Sequence, residues 1–303
     1  MLRKKTHCNK KTAKTGCYHI LEVLSKGAFG TVYKAKDEKT GTFVAIKVLD
    51  GDKRKKAYIG SQKRKKLRNH PNLVAILDDG VIDDTPYIIM EFVPDAVTLS
   101  NVLTKLPNHK MALNLSIYII LQISDALLSL HQQGFIHTDV SPSNILIVPT
   151  DARILLIDYA DAFPVKSIIR PERGTLPYVA PEMVLRYRIQ PNADIFSLGV
   201  IFYQVLTGRL PFDVAPLDYR PPTPPHKLDS SIPLKIDSII LKAIEINPDR
   251  RYRNIQEFRA DLTKAAQQAS LSLKKEEAEV LLKKILSRDF RSLKDFGGLR
   301  NLP

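Results

Sequence analysis

Three oxygen-bearing side chains in the middle of the chain have a spacing that suits phosphoryl transfer. In HTDVSPSNIL, residues 137–146, Asp139 is followed five residues later by Asn144, and LLIDYAD then puts Asp158 at a turn directly after an apolar run. A carboxylate such as Asp139 can take the proton of an attacking hydroxyl. Asn144 and Asp158 offer hard oxygens that can hold magnesium against nucleotide phosphates. Any one of the three would equally suit a helix cap or a turn, so the order of the remaining motifs matters. Upstream, LSKGAFGTVYKA places Gly27 and Gly30 where a backbone closing over phosphates must lack a Cβ. VAIK follows with Lys47, and GTLPYVAPE comes downstream of Asp158.

These groups need a strand-rich half before them and a helical half around them. Residues 18–93 alternate apolar and polar in YHILEVL, GTVYKAK, TFVAIKVL, VAILDDGVI and PYIIMEFV. They predict five strands of a twisted antiparallel sheet, with DEKTG turning between the second and third. From residue 113 the period changes. LNLSIYIILQISDALLSLHQQG predicts a long helix closed by Gly134, and ADIFSLGVIFYQVLTG a second, closed by Gly208. Short strands ILIV and RILLI flank the Asp139 loop, and IDSIILKAIEI and NIQEFRADLTKAAQQ complete a helical lobe. Strands first and helices after predict an α+β, two-lobed protein with its cleft between the lobes. In residues 272–286, Leu281, Leu282 and Ile285 give a further helix an apolar face, for docking on the body or on a partner.

The chain has 303 residues, room for a sizeable core, and a net charge of +14. Basic residues concentrate in 1–14, in 53–68 and near the end. That distribution fits a solvated face with a flexible tail. It also fits contact with an acidic protein or another polyanion, while no specific nucleic-acid recognition is expected. MLRKKTHCNKK is followed by no apolar run, which argues against a secretory signal. SIYIILQISDALLSL is interrupted by Gln122, Ser124 and Asp125 and reads as a buried helix too short and too polar to span a bilayer. No membrane segment is expected. Cys8 and Cys17 make no disulfide framework, so the expected setting is reducing and cytoplasmic.

The series of motifs resembles the eukaryotic-like Ser/Thr protein kinase family, with the look of its bacterial members, over roughly residues 18–265. The resemblance implies a protein-kinase-like two-lobed fold: an N-lobe over 18–93 with an antiparallel sheet plus one helix, and a larger helical C-lobe over 94–265. Residues 1–17 would be a basic tail and 266–303 a C-terminal helical extension. It implies Asp139 as catalytic base and Lys47 as the lysine at the α- and β-phosphates. Asn144 and Asp158 would be the magnesium ligands. Nucleotide binding would fall to Leu24, Gly27, Ala28, Phe29, Gly30, Val32, Ala45, Lys47, Met90, Glu91, Val93 and Leu146, with Met90 as gatekeeper and Glu91 to Val93 as the adenine hinge. Glu182 would pair with Arg251, and Asp194 would anchor the catalytic loop.

The sequence departs from the family pattern in several places. Ser25 stands where a glycine is usual. The glutamate that holds the phosphate lysine would fall near Gly60 or Ser61, yet no acidic residue occurs between Asp52 and Asp78. That region carries two KRKK tetrads, and a normally apolar position becomes Arg64 or Lys65, costly to bury unpaired. Thr138 replaces the arginine before Asp139, so a phosphorylated activation loop would lack its usual clamp. Ser141 replaces a lysine, and DYA replaces DFG, with Tyr159 keeping the aromatic ring and Ala160 removing a glycine. The expectation is an ATP- and magnesium-dependent kinase acting on Ser/Thr of protein substrates. The alternatives are a nucleotide-binding pseudokinase acting as a scaffold, or a noncanonical transferase. An acidic partner at Lys53–Lys66 would order the basic segment.

Overall fold

The computed structural model of the chain describes residues 18–27, 30–49, 70–82, 85–159, 162–165, 174–185, 189–212 and 220–287. The tail, Ala28 and Phe29, the basic segment with the expected N-lobe helix, and Ala160 lie outside them.

The five expected strands form: β1 (Tyr18–Gly27), β2 (Gly30–Asp37), β3 (Phe43–Val48), β4 (Ile76–Ile82) and β5 (Thr85–Glu91). They make one antiparallel sheet in the order β1-β2-β3-β5-β4. The DEKTG turn holds because Asp37 accepts the Lys39 N–H and the Thr40 hydroxyl within its own loop. Successive side chains leave opposite faces of a strand. On one face Ala35, Val44, Ile46, Tyr87 and Ile89 pack into a small core. On the other, Val32 lies opposite Lys47 and Ala45 opposite Met90.

After the hinge come β6 (Val97–Thr98), α1 (Leu99–Lys105) and α2 (Leu113–Gln132). Thr98 caps α1 by accepting the Asn101 N–H at 3.1 Å. The strands β7 (Phe135–Ile136), β8 (Ile145–Val148), β9 (Arg153–Leu156) and β10 (Phe163–Pro164) carry the loops of the site. The helices α3 (Pro181–Val184), α4 (Asn192–Thr207), α5 (Pro225–Leu228), α6 (Leu234–Ala243), α7 (Ile255–Gln268) and α8 (Lys275–Leu286) follow. Helix α4 is buried around almost its whole circumference, running through the centre of this lobe with Phe196, Leu198, Ile201 and Phe202 fully buried. It stops at Gly208, whose φ is 70° and where a Cβ would come within 2.0 Å of the Asn108 carbonyl oxygen, so only glycine fits.

Two expectations need correction. Helix α2 has 20 residues and is long and apolar enough to cross a bilayer by length and composition, contrary to the reading that it is too short and too polar. It is nevertheless a core helix, with Leu115, Ile119, Ile120, Ile123 and Leu127 buried under α4 and α7. On α8 the buried face is Ala278, Leu282 and Ile285, while Leu281 is only half-buried. Three- and four-residue steps put those three side chains on one stripe, which rests on α1 and α2.

Candidate active site

One end of the cleft is built at the β1–β2 hairpin. Gly27 pairs with Gly30 across the turn. Gly30 has φ 130°, and a Cβ there would come within 2.0 Å of the Val48 carbonyl oxygen, so the hairpin lies flat on β3 only because the residue is glycine. Leu24 on β1 is exposed. Along β2 and β3 the parity of the strands puts Val32, Ala45 and Lys47 on the same face. Met90, Val93 and Leu146 meet around Val74, Val148 and Leu155, an apolar patch joining the sheet to β8 and β9. Glu91 is tied by its backbone N–H to the Ala75 carbonyl at 2.9 Å and by its carboxylate to the Ala75 N–H at 3.2 Å. These two bonds lock the start of the hinge to the strand beside it.

Asp139 sits in the loop between β7 and β8. Its Oδ1 accepts the Thr175 N–H at 2.9 Å and the Thr175 hydroxyl at 2.7 Å, and its Oδ2 accepts from Asn144 Nδ2 at 3.0 Å. The same Asn144 amide nitrogen donates to the Asp139 carbonyl at 2.9 Å. Both bonds use the nitrogen, so the amide oxygen of Asn144 stays available as a hard ligand. Asn144 is linked to the β9 end by the Ile157 N–H, which donates to its carbonyl at 2.9 Å. Asp158 follows immediately, with φ 67°, a left-handed turn that ends the strand. Its Oδ1 takes the ammonium of Lys47, which is 6% exposed. Among the described residues Oδ2 has no hydrogen-bond partner. A carboxylate oxygen and an amide oxygen at neighbouring strand ends, with a lysine beside them, form a donor set that fits magnesium and phosphate oxygens.

The loop is held from below. Asp194, fully buried at the start of α4, accepts the His137 and Thr138 N–H groups at 2.8 Å each and His131 Nε2 at 2.8 Å. Burial alone would push its carboxyl up, but the His131 hydrogen bond, the electrostatic pull of the neighbouring His131 and His137 rings and the His137 backbone N–H together hold it below the usual carboxylate value. His137 Nδ1 accepts the Asp139 N–H at 3.2 Å, so Nε2 carries the proton and donates to the Ile157 carbonyl at 2.8 Å. One imidazole thus ties the Asp139 loop to the strand that ends in Asp158. Tyr159 is buried, and its hydroxyl donates to the Val74 carbonyl at 2.6 Å, anchoring the next residue to the N-lobe side; burial pushes its phenol up. Glu182 and Arg251 form a buried bidentate pair at 2.7 and 2.8 Å that fixes the APE segment to the loop after α6. Thr138 is buried with φ 68°, and the buried Ser141 hydroxyl has no hydrogen-bond partner among the described residues.

Lys47, Asp139, Asn144 and Asp158 therefore converge, while the tip residues Ala28 and Phe29 fall outside the described part. The reading of residue types did not single out Thr175, His131 or His137 as contacts of the site. Thr175 had a signal, a Gly-Thr step a fixed distance before APE, but its grip on Asp139 is a contact across 36 residues that only the fold makes.

The protein kinase domain family matches residues 18–292. The serine/threonine-protein kinase PknB of Mycobacterium leprae is 32% identical over 266 residues, covering 81% of this chain and 42% of that protein. Pkn1 of Myxococcus xanthus is 31% identical over 264 residues, covering 80% of this chain and 37% of that one. The chain thus spans less than half the length of these relatives. The crystal structure of the Mycobacterium tuberculosis PknI kinase domain, in a doubly substituted form, superposes with a TM-score of 0.70 at 22% identity, covering 82% of this chain and 95% of that one. With the two-lobed fold, the converging site and the match over residues 18–292, the chain belongs to the protein kinase family.

Proposed function

We propose that this chain transfers the γ-phosphoryl group of ATP to serine or threonine hydroxyls of proteins. The observation that carries the reading is the Asp139 carboxylate, held at both oxygens by Thr175 and Asn144 and set beside the Lys47–Asp158 pair. In the reaction the hydroxyl oxygen bonds to the γ-phosphorus, the bridging oxygen–phosphorus bond breaks, ADP leaves, and the hydroxyl proton passes to Asp139. Lys47 steadies the phosphates, and Gly27 and Gly30 let the hairpin backbone approach them. Leu24, Val32, Ala45, Met90, Val93 and Leu146 enclose the adenine, and the hinge at Glu91 supplies backbone hydrogen bonds. Asn144 and Asp158 would hold magnesium, which supplies charge neutralisation at the phosphate oxygens. Thr175 belongs to the segment that receives the substrate, and its hydrogen bonds aim Asp139 at an incoming aliphatic hydroxyl. The relatives named above are called serine/threonine-protein kinases, in agreement with this choice.

The catalytic unit is taken as 18–265, with the α8 segment as a buttress on the C-lobe. The missing glutamate and the two KRKK tetrads support an acidic protein or polyanion as partner at Lys53–Lys66. Turnover with a polyanion across a salt series tests that part, since such contacts are screened over about 10 Å at 0.1 M salt. The convergence of Lys47, Asp139, Asn144 and Asp158 counts against a pure scaffold. The main test is incubation with labelled ATP and magnesium beside an Asp139→Asn control. Transfer to serine or threonine that vanishes in the control is expected, and equal labelling in both would refute the reading.

A further inference from the structure

We propose that the hydroxyl of Tyr159 positions Asp158 as a metal ligand, which makes Tyr159 a positioning residue of the site. This rests on the kinase reading above. The sequence has tyrosine where the family pattern has phenylalanine. An apolar ring of the same size would fill the space, so the added oxygen is what needs explaining. It is buried and donates to the Val74 carbonyl at 2.6 Å. Among the described residues no other donor reaches that carbonyl. Burial pushes the phenol up, so it stays protonated, and a donor, through the neutral range.

The acceptor is a fixed point. Val74 belongs to a segment before β4 that is stitched to the C-lobe. The Leu156 N–H donates to the Asn72 carbonyl at 2.8 Å, and the Val74 N–H donates to the Leu156 carbonyl at 3.2 Å, a parallel bridge beside β9. Asn72 Nδ2 donates to Gln122 on α2 at 2.7 Å and to the Ile154 carbonyl at 2.8 Å. The Tyr159 bond therefore closes a ring that runs from Val74 through Leu156, Ile157, Asp158 and Tyr159 back to Val74. Asp158 lies inside it, clamped on one side by Leu156 and on the other by Tyr159. Ile157 is held as well, donating to the Asn144 carbonyl at 2.9 Å and accepting from His137 Nε2 at 2.8 Å. Asp158 needs this restraint, because its φ of 67° is unfavourable for a residue with a Cβ. Magnesium is strict about ligand geometry, so a looser Asp158 loses metal affinity. The stretch between Asp52 and Asp78 holds no acidic residue for Lys47, whose ammonium rests on Asp158. What fixes Asp158 therefore orients the lysine too.

Tyr159→Phe is the test variant and Tyr203→Phe its control. Tyr203 is also buried and also donates to a backbone carbonyl, that of Thr223 at 2.8 Å, but from the far half of α4. In Tyr159→Phe the magnesium concentration for half-maximal turnover should rise about tenfold, the effect of losing one buried hydrogen bond. The KM for protein substrate should not change, and Tyr203→Phe should leave the magnesium requirement where it is. The second measurement needs no turnover. In the chain free of nucleotide and metal, Tyr159→Phe should speed hydrogen exchange about fivefold or more at the bonded amides of Val74, Leu156 and Ile157, while α2 and α4 keep the protection of the parent. A hydroxyl that serves stability alone would lower the melting temperature and leave the magnesium requirement unchanged. That result overturns the proposal, and so does unaltered exchange at those three amides. If the parent neither turns over nor binds ATP with magnesium, the kinase reading fails, and exchange still decides whether the hydroxyl holds the Asp158 segment.

Discussion

Removing the Glu182 charge should strongly destabilise the C-lobe. Arg251 is 3% exposed, and its guanidinium is surrounded on every side that the structure describes. It donates to both Glu182 oxygens at 2.7 and 2.8 Å, to the carbonyls of Glu245 at 2.6 Å and Ile246 at 3.0 Å, and lies 4.7 Å from the centre of the Phe196 ring. Glu182→Gln keeps the shape and removes the negative charge, so a buried cation is left with neutral acceptors only. Breaking a buried pair in this way costs about 3–5 kcal/mol, much more than the pair contributes relative to an apolar replacement. For a domain of this size, each kcal/mol lowers the melting temperature by about 2 °C or slightly more, so a fall of roughly 6–15 °C is expected. Urea unfolding and thermal melting of the parent, of Glu182→Gln and of Glu182→Gln with Arg251→Met provide the comparison. The double variant removes the stranded charge and should regain part of the loss. A shift under about 1 kcal/mol in the single variant, or a double variant weaker than the sum of both singles, would refute the argument that the stranded cation dominates.

Asp158→Ala should lower the phosphoryl-transfer rate roughly a thousandfold or more, since a hard ligand and the partner of Lys47 disappear together; steady-state turnover against magnesium concentration is the check. Gly30→Ala should destabilise the N-lobe by at least about 1–3 kcal/mol, because a left-handed φ and a clash with Val48 coincide; melting with and without ATP reads it. Asp194 has its carboxyl held below the ordinary value of 3.8, so its contribution to stability is complete above that value and is lost as pH falls from there toward the folded pKa. Asp194→Asn should therefore lower stability at neutral pH and flatten this part of the acid-unfolding curve. An unchanged acid slope in the variant would show that other carboxylates dominate it.

The local patterns were enough for most of the architecture. Alternation in YHILEVL through PYIIMEFV marked the five strands, because one face of each must leave water and the period is two. Gly134 and Gly208 marked the ends of α2 and α4, because a helix closes most cheaply on a residue that accepts positive φ. The spacing of Asp139, Asn144 and Asp158 pointed to the site, and the family resemblance carried by the motifs added Lys47, Asp194 and the Glu182–Arg251 pair. Other features depend on which distant segments meet, and no local pattern encodes that. The length of α2 is ambiguous between a core and a bilayer until α4 and α7 are seen to cover it. The grip of Thr175 on Asp139, the bond of His131 to Asp194 and the Tyr159 bond to Val74 each join residues far apart in the chain. The ring that encloses Asp158 depends on the segment before β4 lying beside β9. Sequence determined which groups are available for the chemistry; the register of the sheet and the packing of the C-lobe decided which of them touch.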